Sequence, residues 1–89
     1  MTAEQRAAQL VPVVAAAQRV AGVIAARGRG DANGTRTLMA SFSDEQELAG
    51  GALLVAELSL GLLRQATGQT LDECVGELCL EMERALDGT

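Results

Sequence analysis

Two thiols and a few carboxylates are the residues of this chain that could take part in chemistry. Cys74 and Cys79 are its only cysteines, and its 89 residues include no histidine, lysine, tyrosine or tryptophan. Zinc sites combine several cysteines, or cysteines with histidine, and histidine is the commonest general acid or base. We therefore predict no catalytic residue, no metal site and no cofactor, and a protein that is not an enzyme.

The spacing of the two cysteines favours a structural role. Residues five apart on one helix point about 140° away from each other, which prevents a disulfide bond within that helix. We expect Cys74 and Cys79 to be small buried hydrophobic residues in a reducing cytoplasm. An intermolecular disulfide bond or a redox role stays open as an alternative.

The carboxylates form one isolated position and one row. Glu57 stands alone in an apolar segment. It is either a polar break at the edge of a packed face, a buried carboxylate with a raised pKa, or a partner for Arg19 or Arg64. The row repeats every four residues, which places its members on one side of a helix. We predict that this row is a solvent-exposed acidic surface, or else a surface for a basic partner. Its members are Glu73, Glu77 and Glu81.

Four local signals predict where helices begin. Capping boxes are present at Thr2–Gln5, at Ser43–Gln46 and at Thr70–Glu73. Asp31 is a suitable N-cap for a shorter helix between the first and second boxes. The sequence therefore predicts three long helices and one short helix.

Glycines and one proline predict the helix ends and an irregularity. The first helix is expected from about Ala3 to Ala26, and Pro12 predicts either a kink or a late start with a frayed first segment. The third helix is expected to end at Gly68, and the fourth to continue to about Leu86.

The third predicted helix is apolar around almost its whole circumference from Leu48 to Ala66. A helix without a polar face is surrounded by protein, so we expect it at the centre of the fold. One short chain offers it few neighbours, and a second copy related by a two-fold axis is the commonest way to complete the cover. The predicted interface residues are Leu54, Leu58, Ala52 and Ala56.

The fourth predicted helix has an apolar seam whose residues are spaced alternately by four and three. This seam is typical of a helix in a bundle with one solvated face. It consists of Leu71, Val75, Leu78, Met82 and Ala85.

The order of these signals resembles small all-helical proteins of high-GC actinobacteria and their phages. The resemblance is carried by the Gly30–Met39 segment, the long Leu/Ala helix, and the Ala66–Glu73 segment that opens the last helix. It extends from about Gly28 to Glu83. It implies an origin and a helical-bundle architecture, and it implies no site residues.

Charge and composition exclude several classes of function. The net charge of −5 and the single aromatic residue, Phe42, disfavour nucleic-acid binding. The first six residues lack the positive segment of a secretory signal, and the longest apolar run, Leu48 to Leu63, is shorter than the ~20 residues of a membrane span. We expect a cytoplasmic protein without nucleic-acid or membrane partners.

These observations predict one all-α domain over residues 1–89, a small up-down helical bundle of three long helices plus one short helix. The expected function is that of a non-catalytic protein-interaction module that self-associates, most simply as a dimer. Two alternatives stay open. One is a regulator or inhibitor that binds a basic protein surface through the acidic C-terminal helix, and the other is a carrier of an apolar small molecule.

Overall fold

A computed structural model describes residues 2–88 and confirms an all-α protein. Within these residues the chain forms four helices and no strand. The helices are α1 (Ala3–Gly28), α2 (Ala32–Met39), α3 (Glu45–Thr67) and α4 (Leu71–Asp87).

Most of the predicted helix starts are confirmed by their capping hydrogen bonds. Both halves of the box are made at Thr2 and Gln5, and again at Thr70 and Glu73. The Asp31 carboxylate accepts a hydrogen bond from the backbone N–H of Gly34 and caps α2. These bonds satisfy backbone donors that the first helical turn leaves unpaired.

The start of α3 differs from the prediction by one residue. Asp44, rather than Ser43, accepts a hydrogen bond from the backbone N–H of Glu47, at 2.8 Å. The Glu47 carboxylate in turn accepts hydrogen bonds from the hydroxyl and backbone N–H of Ser43. Asp44 and Glu47 therefore make one half of a capping box, while the Glu47 carboxylate bonds to Ser43 and to Arg19.

The structure corrects the prediction of a late start for α1. The helix begins at Ala3 and continues through Pro12 to Gly28. The capping box at its first turn supports the segment before the proline.

Left-handed glycines follow two helices, Gly30 after α1 (φ 75°) and Gly68 after α3 (φ 73°), a conformation that residues with a Cβ rarely adopt.

The residues pack into two compact units, Met1–Ala56 and Glu57–Thr89, with the boundary inside α3. In the described part of the first unit, the buried residues lie mainly on α1, at Ala16, Ala17, Val20, Val23 and Ala26. The helix α1 contacts α2, where Leu38 lies over Gly22, and it contacts the start of α3 at Gly51.

The contact between α1 and α3 is a close backbone approach. A Cβ atom on Gly51 would lie 2.8 Å from the carbonyl carbon of Ala16. Gly51 is also the only buried residue of α3. Within the first unit α1, rather than α3, supplies the buried face, so the central position of α3 stays a prediction.

Arg19 links α1 to the segment that leads into α3. Its guanidinium donates to the carbonyl oxygen of Ser41 at 3.0 Å and to a carboxylate oxygen of Glu47 at 2.7 Å. It also lies 4.7 Å from the centre of the Phe42 ring, within the range of a cation–π interaction. Arg19 thus pairs with Glu47 and not with Glu57, since the packing of α1 brings Arg19 to the start of α3.

In the second unit, the last part of α3 and the whole of α4 bury very few residues. Cys74 is its only buried residue among those described, and its thiol donates to the side-chain oxygen of Gln69 at 3.5 Å. The Gln69 amide donates in turn to Glu77 at 3.0 Å. A polar chain from Cys74 through Gln69 to Glu77 therefore joins the turn to the first half of α4.

Two of the helices, Ala3–Gly28 and Glu45–Thr67, are long and apolar enough to cross a membrane by length and composition alone. The prediction against a span used the length of an uninterrupted apolar run, whereas the helices themselves have 26 and 23 residues. A core helix of a soluble protein and a signal sequence meet the same criterion. The absence of a membrane partner therefore stays a prediction.

Candidate interaction surfaces

The four predicted interface residues lie on two different sides of α3. Ala52 and Ala56 are one helical turn apart, and both are exposed. Leu54 and Leu58 are also one turn apart, but their side of the helix is turned more than 150° from the two alanines. Leu54 is half-buried, and Leu58 is 61% exposed. One partner surface can therefore cover either the two alanines or the two leucines, but not both pairs at once.

The apolar surface of α3 is far larger than these four residues. Leu53 and Leu62 are 61% and 68% exposed, and Leu63 is also exposed. Leu58 and Leu62 are separated by one turn and form a continuous apolar step. These leucines give α3 an exposed apolar surface that a partner could cover.

The predicted acidic row on α4 is exposed, and each of its members already has a partner within the chain. Glu73 closes the capping box with Thr70, Glu77 accepts from Gln69, and Glu81 pairs with Arg84. The backbone N–H of Thr70 holds the pKa of Glu73 below its ordinary value. A basic partner would compete with these internal bonds for the carboxylates.

The two cysteines differ in their surroundings. Cys74 is fully buried, as predicted, while Cys79 is exposed, which corrects the prediction for that residue. The reason is the angle of about 140° between them, because only one of the two can face inward from α4. Both thiols are free.

The remaining candidates for chemistry do not form a cluster. Glu57 is exposed, which agrees with a polar break on α3 and not with a buried acid. Among residues 2–88, no three cysteine or acidic side chains are grouped so that they would hold a metal ion.

An open cleft of about 320 Å³ lies between α3 and α4 in the second unit. Its apolar wall comes from Leu60 and Leu63 of α3 together with Leu78 and Leu80 of α4. Its polar side carries two of the acidic-row residues and Arg84. The cleft lies within the size range of small-molecule sites, and its wall is of the kind that accepts an apolar group.

Sequence reasoning missed a second exposed apolar region, on the first half of α1. No residue from Ala3 to Ala15 is buried. Leu10 and Val11 are 55% and 64% exposed, and Val14 is 42% exposed. The signal was present in the sequence, because the only charges before Arg19 are Glu4 and Arg6.

No protein-family model, curated protein or solved structure matches the chain.

Proposed function

We propose that this protein is a non-catalytic interaction module that associates with a second copy of itself through the apolar surface of α3. The exposure of the large leucines of α3 carries the proposal. Leu53, Leu58 and Leu62 are 61%, 61% and 68% exposed. Water would otherwise remain in contact with leucine side chains along much of α3.

The chemistry of the surface favours an aliphatic contact between helices. Leu58 and Leu62 supply large apolar groups, while Ala52 and Ala56 allow a close approach on the other side of the helix. Because the chain has no tyrosine or tryptophan, no aromatic residue of the usual kind can anchor the contact. In such an assembly, three long helices and one short helix from each copy would complete an up-down bundle.

The residue inventory supports a role without catalysis. The chain has no histidine, lysine or tyrosine, and its two cysteines are a buried thiol and a thiol on an exposed helix surface. Of the carboxylates, Glu47 and Glu73 have their pKa lowered by hydrogen bonds, which is the opposite of what a general acid requires. The cytoplasm is the compartment that fits a free buried thiol best.

The proposal is tested by placing a charge on the exposed surface of α3. Leu58→Asp should convert the assembly to monomers or unfold it, because an aspartate in a desolvated contact has no partner. The matched control is Gln65→Asp, which adds the same charge at an exposed polar position of α3. Light scattering gives the mass, and circular dichroism reports whether the helices persist. A Leu58→Asp chain with the mass and helicity of the parent would contradict the proposal.

The cleft of the second unit favours one alternative, a carrier of an apolar small molecule. Its four leucines offer an apolar wall, and Arg84 with its neighbouring acids would face the polar end of a ligand. Native mass spectrometry of the purified protein separates the two functions. A bound compound on a monomer supports the carrier, and a ligand-free dimer supports self-association.

A further inference from the structure

The side chain of Arg19 makes the hydrogen bonds that link distant parts of the first unit. Its guanidinium donates to the carbonyl oxygen and the hydroxyl of Ser41, at 3.0 and 3.3 Å, and to Glu47 at 2.7 Å. In the described part of this unit, every other side-chain hydrogen bond joins residues three or four apart. One side chain therefore carries the polar connection between α1 and the strap, residues 40–44, which joins α2 to α3.

The strap lies between two contacts that α1 makes through glycines. On the α2 side, the Leu38 side chain lies 3.3 Å from where a Cβ atom of Gly22 would be. On the α3 side, Gly51 lies against the backbone of Ala16, and an open cavity of about 180 Å³ lies beside that contact. A backbone contact next to a cavity buries little apolar area, so the hydrophobic effect contributes little there. Loss of the polar contacts would therefore free the strap at its α3 end.

The strap contains Phe42, the only aromatic residue of the chain. Its ring is half-buried, and the Arg19 guanidinium lies 4.7 Å from the ring centre. The side chains of Arg19 and Glu47 are each 31% exposed, so water screens this pair only in part. Charged hydrogen bonds are stronger than neutral ones. The bonds from Arg19 to Ser41 and Glu47 therefore keep the guanidinium in place over the ring.

We propose that Arg19 is the latch of this strap, and that release of its side chain opens the strap and the start of α3 from α1 while the helices stay folded. The backbone hydrogen bonds of a helix are local, and the cap of α3 is made within its own first turn. A local opening of this kind requires less free energy than global unfolding. The latch goes beyond self-association, because it uses none of the exposed leucines of α3.

Chymotrypsin detects the opening, because it cleaves after aromatic residues and Phe42 is the only one. Mass spectrometry follows this cleavage in the full chain at neutral pH, and circular dichroism reports the helices. Arg19→Gln should accelerate the cleavage about tenfold or more at unchanged helicity, since proteolysis follows the population of the open form. Arg19→Lys should also accelerate it, because an ammonium group cannot bond to Ser41 and Glu47 as a planar fork does. Arg27→Gln is the matched control, which removes an exposed charge from the same helix and should be cleaved like the parent.

Glu47→Gln tests the latch from the side of its partner. This variant removes the charge that Arg19 binds and keeps the bond from the backbone N–H of Glu47 to Asp44. It should accelerate cleavage after Phe42, and the double variant with Arg19→Gln should be cleaved no faster than Arg19→Gln alone, because both changes break one contact. If Arg19→Gln does not fold, Arg19→Lys and Glu47→Gln take its place.

Three results would overturn the latch. They are cleavage of the Arg19 and Glu47 variants at the parent's rate, cleavage that increases only as helicity is lost, and an equal acceleration in Arg27→Gln. None of them changes the proposed function, because the mass of the Leu58→Asp chain tests self-association separately.

Discussion

Gly51 is the residue on which the packing of α1 against α3 depends most closely. The backbone of Ala16 lies where a Cβ atom of residue 51 would be placed, at 2.8 Å, so the two helices must move apart to accept any side chain. Gly50, its neighbour in the sequence, has open space at the same position. The chain thus offers two adjacent helical glycines with opposite surroundings.

Substitution of the two glycines should change stability in opposite directions. Gly51→Ala is expected to lower the free energy of unfolding by about 1–3 kcal/mol through overpacking. Gly50→Ala should raise it by about 0.5–1 kcal/mol, because alanine restricts the unfolded chain and favours the helix. Urea unfolding at equal protein concentration measures both. Equal stabilisation by the two changes would show that α1 and α3 are not in contact at this point.

Arg19 shows why single-residue roles were harder to predict than helices. The sequence offered Glu57 as a partner because that acid stands alone in an apolar segment. The actual partner, Glu47, is 28 residues away and lies in a capping sequence that already explains its presence. Only the packing of α1 on the start of α3 brings the two together, and no local pattern contains that information.

At the scale of elements, the helices were predicted well because their signals are local. Capping boxes and left-handed glycines act within a few residues, so α1, α2 and α4 begin at the expected positions. The prediction failed where it required knowledge of neighbours. Periodicity indicates which faces of α3 are apolar, but it does not tell which of them the same chain covers.

Low pH should decrease the stability of the fold through the capping box of α4. A carboxylate whose pKa is lower in the folded state stabilises the fold above its ordinary pKa, and this contribution is lost as the pH falls through the folded pKa. Hydrogen bonds from Thr70 lower the pKa of Glu73, and the Arg19 side chain lowers that of Glu47. Stability should therefore be constant near neutral pH and decrease below about pH 4.

The variant Glu73→Gln isolates the contribution of the cap on α4. Glutamine keeps the capping hydrogen bond, as Gln5 does in α1, but it does not titrate. Its stability should therefore fall less than that of the parent as the pH decreases. The control is Glu83→Gln, which removes a charge at an exposed position of α4 outside the cap. The test is to measure urea midpoints from pH 7 to pH 3. If the midpoint changes with pH equally in the parent and in Glu73→Gln, the cap does not have this role.

For the whole molecule, the distribution of apolar surface is the main finding. An exposed helical apolar surface was predicted on α3, and the structure adds the outer face of α1. The second was missed because an apolar pattern does not show where burial starts along a helix, and the buried face of α1 begins only at Ala16. Sequence pattern identified the apolar residues, but burial in the folded chain decides which of them remain available to a partner.

The central claim, that the chain completes its apolar packing with a second copy, is tested most directly by its mass in solution. Sedimentation equilibrium of the parent protein at micromolar concentration should give twice the 9.2 kDa of the chain or more. Dilution should produce dissociation with a loss of helicity or stability, because the leucines of α3 would return to water. A helical, cooperatively unfolding monomer of 9.2 kDa, independent of concentration, would contradict the account.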